Sequence, residues 1–419
     1  MGTGKLKVGV LGINRGSDFA RIFEANPRTE LAAICDFNGQ RVDAFMAGRK
    51  GIAVYDDYEK MLGHGLDVVM IAGYLNEHAP QAVRALEAGC HVLSEVTACK
   101  TPAEGVALCR AVEKTGRIYM YAENYCYFTY TQEMQRLYKA GEIGEYLYGD
   151  CEYIHKFTIE ENAIFTDDKD HWRNWIPSTY YCTHALGPVL TITGTRPVKV
   201  SGFVVPNTVS RTMGRVGDDA SIIVCTMDNN AITKVIPWAN LPHKPFSLWY
   251  SLYGTKGAFE NNRFRPQQTL NVTLDEDPES DYERSYQPKF NRPYDSTLDT
   301  HGGGDFFVVE DFVDAVVNGK KPPLDVYTAM DMTLPGILGY RSALSGNESV
   351  EVPDFRKEEV RKKYENDHWS PDPADRHIPG QPFPSILGEV EIPDSVYKEL
   401  DRWRAKTAKK DSDVRRIFS

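Results

Sequence analysis

Over its first 120 residues the chain alternates short, β-branched apolar runs with segments of helical periodicity, and few folds satisfy that order. The runs are too short for buried helices and lack the polar alternation of half-solvated strands, so they read as strands covered on both faces. Lys7 to Leu11, Leu31 to Cys35, Val68 to Ile71 and His91 to Leu93 are the expected strands, and Arg117 to Tyr121 closes the series. Helices are expected at Asp18 to Asn26, Gly39 to Ala47, Tyr58 to Leu62 and Ala79 to Ala88. Strand and helix in regular alternation give an α/β domain, a doubly wound parallel sheet with helices on both faces.

The pattern changes near Ala122 to Asn124. A helix is expected from about Thr131 to Ala140, followed by period-two stretches at Gly149 to His155, Pro197 to Val205, Ala220 to Met227 and Ala231 to Pro237. Such alternation belongs to an open, partly solvated sheet, here mostly antiparallel, in an α+β domain. Helical patterns return at Gly304 to Val317 and Val326 to Ser345, and the last sixty residues are charged and Pro-rich with a final helix near Ser395 to Lys406. The expected division is 1–123, 124–350 and a C-terminal extension over 351–419 that packs on the body or a neighbouring subunit. A chain of 419 residues has material for two cores.

Charge excludes one class of partner. The net charge is −11 and no segment gathers Lys and Arg into a basic face, so nucleic acid is not an expected partner. The eight cysteines, at 35, 90, 99, 109, 126, 151, 182 and 225, lie among apolar residues without a CxxC pair. They read as reduced core thiols, and no His, Cys or carboxylate group has metal-ligand spacing, so no metal is expected. No apolar window is long enough to span a bilayer and the first residues lack a signal-peptide pattern, so the expectation is a cytoplasmic protein that engages no membrane.

After the first strand comes Gly12-Ile13-Asn14-Arg15-Gly16-Ser17, where a dinucleotide-binding turn would read GxGxxG. Asn14 replaces the second glycine and tolerates left-handed backbone angles. Gly16 is one place early and, with Ser17 and Asp18, is positioned to open a helix whose amides face phosphates. Asp36, at the end of the second strand, is where a carboxylate accepts hydrogen bonds from the adenosine ribose and repels a 2′-phosphate, which favours NAD over NADP. Leu75, Asn76, Glu77 and His78 follow the fourth strand, and Glu95 and Val96 follow the fifth. Ligands of doubly wound sheets bind at the carboxyl ends of strands, so these loops converge on one crevice.

These residues resemble the glucose-fructose oxidoreductase, inositol dehydrogenase and MocA (Gfo/Idh/MocA) family, which pairs an N-terminal Rossmann domain with an open-faced sheet domain. The resemblance covers roughly residues 5 to 355. Where ordinary members carry Glu-Lys-Pro after the fifth strand, this chain has Glu95-Val96-Thr97, and the Asp usual about four residues before the active-site His is absent from Tyr180-Tyr181-Cys182-Thr183-His184. Both departures, together with Glu123-Asn124-Tyr125, Gly141 to Glu145, Tyr153-Ile154-His155, Trp172-Arg173, His301-Gly302-Gly303 and Asp325-Val326-Tyr327, are similar to the NAD-dependent α-N-acetylgalactosaminidase-type glycoside hydrolases. Cys182, Ala185 and Lys156 stand where that branch usually has Pro, Gly and Asp. The resemblance implies NAD contacts at Arg15, Gly16, Asp36, Leu75 to His78, Glu95, Val96 and Asn124. It implies sugar contacts at Tyr153, Arg173, Tyr181, Cys182, Thr183, His184 and Tyr327.

The chemistry implied is not that of two carboxylates flanking a glycosidic bond. A ring hydroxyl is oxidised, the ketone acidifies the neighbouring C–H, the glycosidic oxygen leaves by elimination, water adds, and the ketone is reduced again. Histidine is the side chain suited to acid/base work near neutral pH, so His184 is the first acid/base candidate. Tyr181 is the second, and needs nearby positive charge such as Arg173 or oxidised nicotinamide to ionise usefully. Tyr153 and His155 lie two apart on a strand, hence on one face, and are candidates for binding or proton shuttling. Two other functions stay open: a simple sugar dehydrogenase that releases a keto-sugar, and an NAD-binding sensor without activity. The family's open sheet implies a homo-oligomer joined through that face.

Overall fold

The computed structural model describes residues 4–243, 246–264, 268–278, 284–298 and 300–407; residues 408–419 of the expected C-terminal extension lie outside the described residues. The chain divides into two compact units, one of 1–127, 294–330 and 355–368, the other of 128–293, 331–354 and 369–419.

The first unit holds a six-stranded parallel sheet. Its strands β1 (Leu6–Leu11), β2 (Thr29–Cys35), β3 (Ala53–Tyr55), β4 (Val68–Ile71), β5 (His91–Ser94) and β6 (Tyr119–Tyr121) run in the order β3-β2-β1-β4-β5-β6. All four residues of β4 are buried, as a strand covered on both faces requires. The helices are α1 (Ile13–Ala25), α2 (Gly39–Met46), α3 (Tyr58–Leu62), α4 (His78–Glu87) and α5 (Pro102–Thr115). The period-based reading passes over α5, although its ends are marked. The Thr101 hydroxyl accepts from the Glu104 amide, Pro102 occupies the first turn, and Gly116 ends the helix at φ 64°.

The second unit is built on a nine-stranded mixed sheet in the order β14-β13-β12-β11-β7-β10-β9-β8-β15. Its strands are β7 (Tyr146–Ile154), β8 (Pro197–Val205), β9 (Ala220–Met227), β10 (Ile232–Ala239), β11 (Ser247–Gly254), β12 (Gly257–Asn261), β13 (Leu270–Leu274), β14 (Arg284–Tyr286) and β15 (Val350–Glu351). The β7 and β10 pair is parallel and the other pairs are antiparallel. Helices α6 (Thr129–Lys139), α7 (Ile159–Phe165), α8 (Trp172–Trp175) and α9 (Thr183–Thr193) precede β8, and α9 lies against β7, β10 and β11. The opposite face carries Phe203, Ile222, Ile232, Tyr148 and Tyr253, paired across neighbouring strands and 37–47% exposed.

Later in the chain come α10 (Gly304–Asn318), α11 (Val326–Leu344), α12 (Glu358–Arg361) and α13 (Asp394–Thr407). Here the units depart from the expected contiguous division at 123 and 350. The α10 segment belongs to the first unit because it packs on α1, and Glu310 takes hydrogen bonds from Asn26 at 2.5 Å and Arg28 at 2.9 Å. The break between units falls inside α11, after Met330.

Candidate active site

The turn after β1 has no space for a side chain. Gly12 sits at φ 84°, and a Cβ there would lie 2.5 Å from the Ala72 carbonyl oxygen. The chain enters α1 directly, so Asn14 and Arg15 are first-turn residues whose amides have no intrahelical acceptor. Asn14 is helical, which corrects the expectation that it serves by adopting left-handed angles. Gly16 lies one turn inside α1 rather than opening it. A Cβ at Gly16 would meet Val10 Cγ1 at 2.7 Å, so its smallness lets the helix close on β1.

Asp36 is buried at the carboxyl end of β2. Its Oδ2 accepts from the Ile13 amide at 2.7 Å and its Oδ1 from the Asn38 amide at 2.8 Å, leaving a further lone pair on each oxygen for a ribose hydroxyl. Leu75 and Asn76 form a single 3₁₀ turn after β4. The His78 ring is buried between the carbonyls of Thr97 (3.0 Å) and Gly73 (3.3 Å), and burial lowers its pKa. A neutral ring donates to one of these two carbonyls, so His78 lies buried between two carboxyl-end loops and is tied to one of them by a hydrogen bond.

Arg15 gathers the carboxyl-end loops electrostatically. Its guanidinium forms a bidentate pair with Asp305 at 2.6 and 2.7 Å, meets Glu95 Oε1 at 2.8 Å and Asp18 at 3.1 Å, and stacks over Phe19 at 4.5 Å. Burial opposes the charge of Arg15, but Asp305 and Glu95 outweigh it and raise its pKa. Asp305, fully buried at the start of α10, also accepts from Asn124 Nδ2 (2.9 Å), Thr300 Oγ1 (2.7 Å) and His301 Nδ1 (3.0 Å). Burial would raise its pKa, yet Arg15 and His301 hold it well below the usual carboxylate range. Glu95 uses its other oxygen on the Val96 amide at 2.9 Å. The sequence reading misses Asp305; its only local sign is that it follows His301-Gly302-Gly303-Gly304, where 301–303 all have positive φ.

Tyr327 does not join these carboxyl-end residues. Its hydroxyl donates to Glu113 near the end of α5 that leads into β6, Arg361 also reaches Glu113, and Arg356 lies 5.7 Å above the Tyr327 ring. The Tyr327 hydroxyl, expected at the sugar, is engaged by Glu113 in this network rather than by the residues around Arg15.

In the second unit the ring residues do come together. His184, in the first turn of α9, packs edge-on against Tyr153 (5.2 Å between ring centres) and Tyr181 (4.9 Å), and those two tyrosines are 6.0 Å apart. The Tyr250 hydroxyl donates to the His184 carbonyl at 2.6 Å, which fixes the start of α9. Tyr153 and His155 share a face as expected, joined by a 2.9 Å hydrogen bond between the phenol oxygen and Nδ1. Burial, then Arg173 and Arg215, push the His155 pKa down to about 4, so near neutrality its ring is an acceptor.

A small cavity opens beside this cluster. Tyr153, Phe157, Trp172, Tyr181 and Trp238 make its aromatic walls, Ile176 completes them, and Arg173 and Arg215 supply its charge. Among the described residues the lining contains no carboxylate. Arg173 lies 4.3 Å over Trp172, which is stacked 6.1 Å from Tyr181. Cys182 and Thr183 are fully buried, and the Cys182 thiol donates to the Met332 carbonyl at 3.1 Å while Gly336 packs against it. They anchor the start of α9, and of the expected sugar-contact segment 181–184 it is Tyr181 that lines the cavity.

Residues 6–123 match the family model of the oxidoreductase family, NAD-binding Rossmann fold, and residues 207–362 match that of the glycosyl hydrolase 109, C-terminal domain. The chain joins a Gfo/Idh/MocA Rossmann domain to a glycosyl hydrolase 109 domain. It is 28% identical over 376 residues to an alpha-N-acetylgalactosaminidase of Tannerella forsythia, covering 78% of each chain. It is 25% identical over 406 residues to a glycosyl hydrolase family 109 protein of Saccharopolyspora erythraea, covering 88% of this chain and 87% of that one. Among solved structures, an oxidoreductase domain protein from Kribbella flavida superposes with a TM-score of 0.73 and levoglucosan dehydrogenase in complex with NADH and L-sorbose with 0.72. Both are 20% identical, cover 84% of this chain and all of their own, and share the fold. The Gfo/Idh/MocA domain is thus an NAD-binding one, and the Gly12 turn, the Asn14 and Arg15 amides in the first turn of α1 and the Asp36 carboxylate fit that cofactor. The glycosyl hydrolase 109 model begins after His184, so Tyr153, Tyr181 and His184 fall between the two matched segments. Among the described residues no helix is long and apolar enough to cross a membrane.

Proposed function

We propose that this enzyme cleaves a glycosidic bond by transient oxidation of a ring hydroxyl, elimination, water addition and re-reduction. One observation carries the reading: the Tyr153, His155, Tyr181 and His184 cluster offers several proton donors and acceptors beside a cavity that lacks the carboxylate pair an ordinary glycosidase needs. NAD, when bound, supplies the chemistry of taking a hydride from a hydroxyl-bearing carbon and returning one. His184 accepts the hydroxyl proton at the oxidation and gives it back at the reduction. Tyr181 takes the proton from the carbon beside the new ketone, and the Arg173 guanidinium on the same cavity supplies positive charge beside it. The hydrogen-bonded Tyr153 and His155 pair passes a proton to the departing glycosidic oxygen. Aromatic walls give the sugar's C–H faces a surface to stack on, and Arg173 binds its oxygens. In the Rossmann domain, Arg15, Asp36, Glu95, Val96 and Asn124 orient the cofactor.

The test follows nitrophenol release and NADH absorbance together across a panel of nitrophenyl glycosides. Nitrophenol without net NADH is the expected result, and His184→Ala is expected to lower the rate by about 100- to 10,000-fold. NADH accumulating in step with an intact oxidised glycoside would instead make the protein a sugar dehydrogenase, and silence in both channels would leave an NAD-binding sensor. The exposed apolar row on the sheet's outer face supports a homo-oligomer formed through that face, and a monomeric mass in light scattering would contradict it. The eight cysteines, all buried and none in a disulfide among the described residues, support a reducing, cytoplasmic setting.

A further inference from the structure

The cavity contains a buried cation that the cleavage scheme does not use. Arg215 is only 3% exposed and lines the cavity, and its Nη1 has no hydrogen-bond partner among the described residues. Leaving buried donors of a guanidinium without an acceptor is costly, so the position calls for a reason. The loop holds the residue firmly. The Arg215 amide donates to the Ser210 carbonyl at 3.1 Å, and its carbonyl accepts from the buried Asn207 side chain at 2.9 Å. The guanidinium lies 3.9 Å over the Trp238 ring and 5.3 Å over Phe157, a contact that favours the cation but provides no oxygen acceptor.

The carboxylates nearby along the chain are engaged elsewhere. Asp219, which acts on Arg215 electrostatically, accepts from the amides of Thr208, Val209 and Ser210 at 2.9, 2.8 and 2.7 Å. Asp218 accepts from the Asn207 and Ile386 amides and the Ser385 hydroxyl. Arg173, the second cation on the cavity, also has no carboxylate partner among the described residues; it rests on Trp172 and Phe165. His155, facing both guanidiniums, is held neutral by them and by burial. In a chain of net charge −11, this is a local concentration of positive potential walled by aromatic rings.

We infer that Arg215 and Arg173 form a subsite for an oxyanionic substituent of the sugar, a carboxylate first, so that the glycoside taken here is an acidic one such as a uronide. A carboxylate accepts guanidinium hydrogen bonds in matched planar geometry and fills the small space between the rings. Sulfate or phosphate on a sugar shares that chemistry. The inference rests on the reading that this cavity receives the sugar.

The full chain with saturating NAD is titrated by tryptophan fluorescence with glucuronate, galacturonate, their methyl esters, galactose and galactose 6-sulfate. Charged hydrogen bonds to buried arginine predict about a tenfold or greater preference for the uronates over their esters. A uronate preference with weak 6-sulfate binding assigns the site to carboxylates, and comparable binding of the 6-sulfate extends it to other oxyanions. Arg215→Gln is expected to abolish the preference and Arg215→Lys to restore part of it; Arg173→Gln gives a second route if Arg215→Gln fails to fold. Equal affinities for acid and ester, or a preference that survives both glutamine variants, would overturn the subsite while leaving the cleavage reading intact. Preserved preference with no glycoside turnover would do the reverse.

Discussion

The two units treat buried arginine in opposite ways. Arg15 meets three carboxylates, and its main partner Asp305 is itself satisfied by Asn124, Thr300 and His301. Arg215 meets aromatic faces and, among the described residues, no free acid. A paired network of this kind fixes geometry before any ligand arrives, since each charge is neutralised inside the protein. A buried cation without a counter-charge is instead a site whose partner comes from outside. The contrast separates residues whose charge is met within the protein from residues proposed to meet the substrate.

The largest effect that would sharpen this contrast is at Asp305. Asp305→Asn keeps the shape but strands Arg15 against two remaining carboxylates, and a broken buried pair typically costs about 3 kcal/mol. The urea midpoint should fall accordingly, and NAD affinity with it. Unchanged stability would mean that the network is ornamental.

Acid reads the second unit separately. His155 has a folded pKa near 4, below the ordinary 6.5, so the unfolded chain binds the proton more readily. Its contribution is therefore intact above about 6.5 and is lost as pH falls towards 4, by up to about 3 kcal/mol. Asp305 works in another window: its depressed pKa stabilises above about 3.8 and is lost only below that. Glu104 and the buried Asp218, raised to about 7 and about 6, act with the opposite sign in the same range as His155, so the comparison is wild type against His155→Phe. The variant should gain relative stability between pH 6.5 and 4 in urea unfolding. A pH-independent difference would show that His155 is not held neutral.

The smallest effect is expected at Tyr327. Tyr327→Phe removes one partly exposed hydrogen bond to Glu113, worth about 0.5 to 1 kcal/mol, and should leave KM and kcat unchanged. A raised KM would restore it to the sugar site.

Much of this was legible from spacing. Strict alternation places β8 and β9 at the residues expected, and buried apolar runs place β1, β2, β4 and β5 to within two residues. Asp36 and the Tyr153 and His155 pair follow from strand geometry alone. What stayed hidden depends on contacts distant in sequence. Arg15 and Asp305 are 290 residues apart, and nothing local marks either as half of a pair. Arg215 is a single basic residue in a loop, given meaning only by the rings folded around it. Motif position also cannot say which way a side chain faces, which is why Cys182 and Thr183 were expected at the sugar and are found in the core. Strand β11 (SLWYSLYG) mixes apolar and polar residues without a clean period because its register against β7 and β12 decides what is buried.

The central claim is oxidation followed by elimination, and it leaves an isotopic trace. Cleavage of a neutral or acidic nitrophenyl glycoside in deuterated water, with the released sugar analysed by NMR, tests it directly. The account predicts one solvent deuterium on the carbon beside the transiently oxidised one, where a proton is removed and later replaced, and none on the carbon that gives and regains hydride. A sugar released with no carbon-bound deuterium would contradict it and point to direct displacement at the glycosidic carbon.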